Sequence, residues 1–102
     1  MTNAILKRFD LSGKSAAVIG GGGDLCGHMV EALGAMGVKV AVVDISLEKA
    51  KARAQSVTRA GGAAEAYRCD ILNVDQLRGC YDAVCRQWGP PDLLINGAGG
   101  ND

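Results

Sequence analysis

Apolar and polar positions along this chain fall into blocks whose period switches between that of a strand and that of a helix. The stretch Ser15-Ala16-Ala17-Val18-Ile19 is short and almost continuously apolar, as in a strand buried on both faces. It is followed by residues 25–36, where Met29, Val30, Leu33 and Met36 recur at helical spacing before Gly37 supplies a stop. A second apolar run, Val38-Lys39-Val40-Ala41-Val42-Val43, predicts a strand over residues 39–44. A second helix is expected over residues 47–60, with Ser46 as N-cap and Gly61-Gly62 as its end. Residues 64–69 read as a third strand. Asn73 then caps a third helix, with Gln76 placed to complete a capping box. That helix ends near Trp88, where Gly89-Pro90-Pro91 turns the chain into a fourth strand over residues 92–96.

Regular alternation of strand and helix implies a parallel sheet with right-handed crossovers. Gly27 and Gly34 lie seven apart on one face of the first helix, so that face is expected to sit close on the sheet. A parallel sheet buries both faces under helices. Here the pattern reaches a fourth strand and a new glycine-rich loop, Gly97-Ala98-Gly99-Gly100, with no further helix. The expectation is a fold truncated after the fourth strand.

Composition narrows the classes. Of 102 residues, 48% are apolar, which suits a folded domain with a modest core. Eleven basic residues balance eleven acidic ones, so no charge field points to nucleic acid or an anionic membrane. No apolar stretch approaches the twenty residues of a membrane span, and residues 1–8 lack the pattern of a signal peptide. Cys26, Cys69, Cys80 and Cys85 form no C-x-x-C pair and no zinc-like spacing. They are expected as reduced, buried or partly buried thiols in a cytoplasmic protein without a metal. His28, the single histidine, has no convincing acid or thiol partner and reads as a structural or surface residue.

The candidate chemistry sits at the strand ends. Gly20 to Gly23 follow the first strand and lead into Asp24-Leu25-Cys26-Gly27. Such a loop lets backbone N–H groups approach a pyrophosphate, and the helix N-terminus adds partial positive charge. The strict G-x-G-x-x-G spacing fails, because Cys26 or Asp24 falls where glycine is required. A triphosphate loop is also excluded. The spacing from Gly22 to Gly27 fits, but His28-Met29 stands in place of Lys and Ser/Thr.

Asp44, closing the second strand, is placed to accept hydrogen bonds from the adenosine ribose hydroxyls. Its charge repels a 2′-phosphate, so NAD is favoured over NADP. Asp24 would be repelled by a pyrophosphate and is expected to turn outward and cap the first helix. Asp70, at the end of the third strand, either caps the following turn or contacts the adenine amino group. Asn96-Gly97-Ala98-Gly99 closes the fourth strand with residues small enough to let the backbone pass a ligand. The candidate cofactor-binding set is Gly21, Gly23, Asp24, Leu25, Cys26, Gly27, Asp44, Ile45, Asp70, Ile71, Asn96, Gly97, Ala98 and Gly99. Together these features predict an α/β fold, a Rossmann-type doubly wound parallel sheet, with residues 1–102 as the N-terminal portion of one dinucleotide-binding domain.

These residues resemble the short-chain dehydrogenase/reductase family over nearly the whole chain. Phe9-Asp10-Leu11-Ser12-Gly13-Lys14 looks like the family's lead-in to its first strand. The T-G-x-x-x-G-x-G loop maps onto Gly20 to Gly27, with Gly20 in place of threonine and Leu25 in place of the middle glycine. Asp44 matches the NAD-selecting acid, and Asp70 the adenine-contacting acid. Asn96-Gly97-Ala98-Gly99 matches N-N-A-G, with Gly97 replacing the second asparagine. Within the family, the two loops look like the D-mannonate oxidoreductase (fructuronate reductase) branch.

The resemblance implies hydride transfer between NAD(H) and the alcohol or carbonyl carbon of a small-molecule substrate, by a homo-oligomeric full-length protein, dimer or tetramer. It also implies a catalytic serine and a tyrosine with a lysine four residues later. Neither Tyr67 nor Tyr81 has that lysine, because Ile71 and Cys85 occupy the positions. No catalytic residue is therefore expected in this chain, which should be inactive alone. The alternative is a non-catalytic NAD-binding or regulatory module.

Overall fold

The structure is a computed structural model that describes residues 11–97. The elements run β1 (Ser15–Ile19), α1 (Asp24–Ala35), β2 (Lys39–Asp44), α2 (Leu47–Arg59), β3 (Ala63–Arg68), α3 (Val74–Trp88) and β4 (Leu93–Asn96). All four strands pair in parallel in the order β3-β2-β1-β4. The chain thus steps outward from β1 to β3, then returns past β1 to place β4 on its other side. The junction between β1 and β4 is a topological switch point, where open α/β sheets bind ligands.

Register aligns the strand ends. Ile19 lies opposite both Val43 and Asn96, and Asp44 lies opposite Arg68. β4 is tied to the start of β1 at its own beginning, where Asp92 donates its amide to the Ser15 carbonyl and accepts the Ser15 amide, both at 2.9 Å.

Alternate residues of the strands feed two cores. Ala16, Val18, Val40 and Val42 face α1 and α2, which contribute Cys26, Val30, Ala50, Ala54 and Val57. Ala17, Ala41 and Val43 face the other way and meet Cys69 and Val84, with Cys80 and Trp88 against them. Continuous apolar strands are explained by this two-sided burial.

The first core is the better filled, because two helices cover it. On the second face α3 stands alone among the described residues, and a cleft of about 680 Å³ opens between it and β1, β2 and β4. Leu94 on that cleft is 67% exposed and Tyr81 is also exposed. Among the described residues, two helices cover one face of the sheet and one helix lies on the other.

Helix ends follow the expected chemistry with some corrections. Ser46 and Asn73 accept the Lys49 and Gln76 amides, at 3.3 and 3.1 Å. Gly37 and Gly61 take the left-handed conformation after α1 and α2, at φ 85° and 96°. Gln76 does not close a reciprocal box with Asn73. Its Oε1 reaches the Asp70 amide at 3.0 Å, because the Asn73 amide is already bonded to the Asp70 carbonyl.

Asp24 does not cap α1. Gly23 holds the cap position with an extended backbone and no side chain, so Asp24 falls inside the first turn. Gly27 and Gly34 face α2 rather than the sheet. A Cβ at Gly27 would overlap the Arg53 guanidinium, and one at Gly34 would sit 2.6 Å from Val57 Cγ1. The two helices lie side by side on one sheet face, so the closest approach of α1 is to its neighbour. Arg53 lies across that seam and bonds Glu31 at 2.6 Å.

Candidate functional site

Four strand ends converge at one edge of the sheet, and the glycine loop between β1 and α1 lies at its centre. Gly20 turns the chain at φ 79°, and its amide, with that of Gly21, bonds the Val43 carbonyl at 2.7 and 3.1 Å. Gly21 is buried against the core. A Cβ there would lie 2.9 Å from both the Val18 carbonyl oxygen and Val42 Cγ1. Glycine at 21 is required by packing against the sheet.

The loop then delivers the N-terminus of α1. The Gly27 amide bonds the Gly23 carbonyl at 2.8 Å as the first internal bond of the helix. The amides of Asp24, Leu25 and Cys26 precede it, and none has a bond to the chain among the described residues. Three unspent N–H donors on the positive end of a helix suit a phosphate group. Leu25 is 76% exposed, while Cys26 is buried in the first core. A phosphate group held by this helix end would use the amide of residue 25, which any residue but proline provides. Leucine there changes the room above the loop and leaves the donor in place.

Asp44 closes β2 beside this loop. Its Oδ2 accepts the Gly22 amide at 3.1 Å, and its Oδ1 accepts the Ser46 amide at 2.9 Å. Each carboxylate oxygen keeps a further lone pair able to accept from a hydroxyl. Ile45, next to it, is 59% exposed at the same edge.

Asp70 follows β3, and its Oδ1 accepts the Leu72 amide at 3.1 Å. The turn-capping role is therefore present in the structure. Ile71 packs against the second core and lines the cleft together with Asn96. The Gly97 amide bonds the Ile19 carbonyl at 2.9 Å and carries the chain across the end of β1. A Cβ at Gly97 would overlap the Cys26 sulfur. Ala98 and Gly99 lie outside the described residues, as does the lead-in up to Asp10.

Gly21, Gly23, Asp24, Leu25, Cys26, Asp44, Ile45, Asn96 and Gly97 are thus brought to one edge, while Gly27 serves the seam with α2. Sequence reasoning missed Gly22 and Ser46, whose amides hold the Asp44 carboxylate. Ser46, two residues after an aspartate, follows a common local turn pattern and could have been found. Gly22 is joined to Asp44 only through the fold.

The tyrosines are not activated. Burial, then Glu65 and Cys80, pushes the Tyr67 hydroxyl above its ordinary value. The hydrogen bond with Cys85 raises Tyr81. A tyrosine acting as general base near neutral pH needs the opposite shift. No group of three or more metal-ligating side chains forms among the described residues, and no helix there is long and apolar enough to cross a membrane.

A parallel sheet with a glycine loop at its switch point and an acid closing β2 defines a Rossmann-type α/β fold. Residues 14–102 match the short chain dehydrogenase family, and the chain belongs to it. It is 42% identical over 92 residues to the uncharacterized oxidoreductase UxuB of Bacillus subtilis, covering 90% of this chain and 33% of that protein. A crystal structure from Haemophilus influenza, described provisionally as a D-mannonate oxidoreductase and holding NAD, superposes with a TM-score of 0.88 at 31% identity. The match covers 96% of this chain and 35% of that one. A metagenomic short-chain oxidoreductase in complex with NADP matches with a TM-score of 0.79 at 29% identity, over 83% of this chain and 38% of that one. The chain spans about a third of the length of these relatives.

Proposed function

We propose that residues 1–102 are the N-terminal, dinucleotide-binding portion of an oxidoreductase that uses NAD rather than NADP. The observation that carries this reading is the Asp44 carboxylate, set beside the glycine loop with both oxygens fixed by backbone amides. NAD(H), when bound, supplies the hydride acceptor or donor. This chain's part is to seat it. The amides of Asp24, Leu25 and Cys26 face the pyrophosphate, and Asp44 accepts the ribose hydroxyls. Ile45, Asp70, Ile71, Asn96 and Gly97 flank the adenosine and its ribose. A 2′-phosphate on that ribose would meet the Asp44 charge at close range.

The substrate is proposed as an alcohol or carbonyl of the polyol or sugar-acid class. Support comes from the provisional D-mannonate oxidoreductase and from the D-threitol dehydrogenase of Mycolicibacterium smegmatis, 32% identical over 91 residues. Relatives named as oxidoreductases and dehydrogenases favour this over a non-catalytic module.

Calorimetric titration with NAD+ and NADP+ tests the reading. The chain is expected to bind NAD+ more tightly. Asp44→Ala should weaken NAD+ about tenfold, the loss of charge-assisted hydrogen bonds, and abolish the preference. Absorbance at the nicotinamide band should show no turnover with sugar acids or polyols. Failure to bind NAD+, or an unchanged preference in Asp44→Ala, would overturn the proposal.

A further inference from the structure

We infer that Gly22 is a specificity-determining position: it clamps the Asp44 carboxylate in the orientation that accepts a ribose diol and denies a 2′-phosphate. The inference rests on the NAD reading above and adds a residue and a device to it.

An aspartate at a strand end can turn about two side-chain bonds. Asp44 is held from two sides instead. The Gly22 amide binds Oδ2 at 3.1 Å from the loop after β1, and the Ser46 amide binds Oδ1 at 2.9 Å from the start of α2. The Gly22 bond exists because the loop lies directly on that corner. A Cβ at position 22 would sit 2.6 Å from Lys49 Cβ, 3.0 Å from the Lys49 carbonyl carbon and 3.0 Å from Asp44 Oδ2. Lys49 Cβ and the carbonyl carbon belong to the base of a helical residue and cannot swing aside as a side-chain tip would. Any side chain at 22 therefore lifts the loop from α2 and lengthens its bond to Asp44. The backbone angle at Gly22 is not in the left-handed region, so close approach rather than turn geometry demands glycine.

The clamp acts on selection in two ways. It stops the carboxylate from rotating away from an incoming 2′-phosphate, so repulsion stays in place. It also occupies two N–H donors that a phosphate would otherwise use. Releasing Asp44 removes the first barrier and frees the second pair of groups. Gly22 is a positioning residue in this scheme, acting through Asp44.

The test compares NAD+ and NADP+ dissociation constants for the chain, Gly22→Ala, Asp44→Ala and the double variant. Gly22→Ala should lower the NAD+ preference about tenfold, through weaker binding of NAD+ together with tighter binding of NADP+. The double variant should show the same preference as Asp44→Ala alone. If Gly22→Ala weakens both cofactors equally, or keeps the original preference while Asp44→Ala loses it, the clamp is overturned and the NAD reading stands. If the chain binds no NAD+, or Asp44→Ala keeps the preference, the NAD reading falls and the clamp with it. A second measurement needs neither cofactor nor a variant at 22. In amide NMR spectra the Gly22 and Ser46 protons should both move upfield in Asp44→Ala, as each loses a carboxylate acceptor. An unmoved Gly22 proton would overturn the clamp.

Discussion

Gly97 stands where the family pattern has asparagine, and the structure gives a steric reason. The space a Cβ would need is filled by the sulfur of Cys26, which is buried in the first turn of α1. The two residues are a matched pair: the thiol fills the corner between α1 and β4, and the glycine makes room for it. Restoring asparagine should overpack that corner. Gly97→Asn is expected to destabilise the chain by about 1–3 kcal/mol, measured by urea unfolding. The same change in a Cys26→Ala background should cost clearly less. Equal costs in the two backgrounds would show that the sulfur is not what excludes a side chain at 97. This pairing was not legible in the sequence. Cys26 and Gly97 are far apart along the chain, and only the crossing of β4 beside β1 brings them together.

Among the elements, α1 and α2 show how one sequence pattern can hide two different contacts. Gly27 and Gly34 look equivalent from their spacing, yet they meet unlike partners. Gly27 lies under the end of Arg53, a long side chain that can swing aside at the cost of its ion pair with Glu31. Such partly exposed pairs contribute about 0–1 kcal/mol, and alanine gains about 1 kcal/mol over glycine in a helix. Gly27→Ala is therefore expected to leave stability within about 1 kcal/mol of the original.

Gly34 lies under Val57, which is buried, stiff at its first torsion and left no spare room on the side of Gly62, where an added Cβ would come within 2.8 Å of it. Gly34→Ala should destabilise by about 1–3 kcal/mol, and Val57→Ala in the same chain should recover part of that loss. Thermal melts of the three variants decide the matter; a Gly27→Ala chain less stable than Gly34→Ala would contradict this assignment of contacts. The elements themselves were legible to within a residue or so at their ends, because apolar runs and N-cap residues act locally. What each helix face touches is a tertiary fact, and the sequence pattern could not separate sheet from neighbouring helix.

For the molecule as a whole, the two faces of the sheet are unequally covered, and the second face holds a partly buried thiol that should make stability fall at alkaline pH. The parallel sheet and the gathering of Asp44 and Asn96 at one edge could be read from strand-helix alternation, because connection rules leave few topologies. The order β3-β2-β1-β4 and the switch point it creates could not, since alternation does not say on which side of β1 the fourth strand pairs. Nor could the hold on Asp44, since it depends on how closely the loop settles on α2.

On the second face Cys80, projecting from α3, packs beside Cys69. Burial, reinforced by Cys69, pushes the Cys80 thiol up from its ordinary 9.0 to about 11. The folded chain thus holds this proton more tightly than the unfolded chain does. Between about pH 9 and pH 11 the unfolded state has lost the proton that the folded state keeps, so stability falls as pH rises. Below pH 9 both states are protonated and the full contribution is present. The thiol is only partly buried, so the loss should be a fraction of what complete burial would give. Urea midpoints taken from pH 8 to pH 11 for the chain and for Cys80→Ala test this. The difference between the two should shrink or reverse as pH rises, because alanine has no proton to lose. Parallel curves over the whole range would show that the Cys80 thiol takes no part in the alkaline loss of stability.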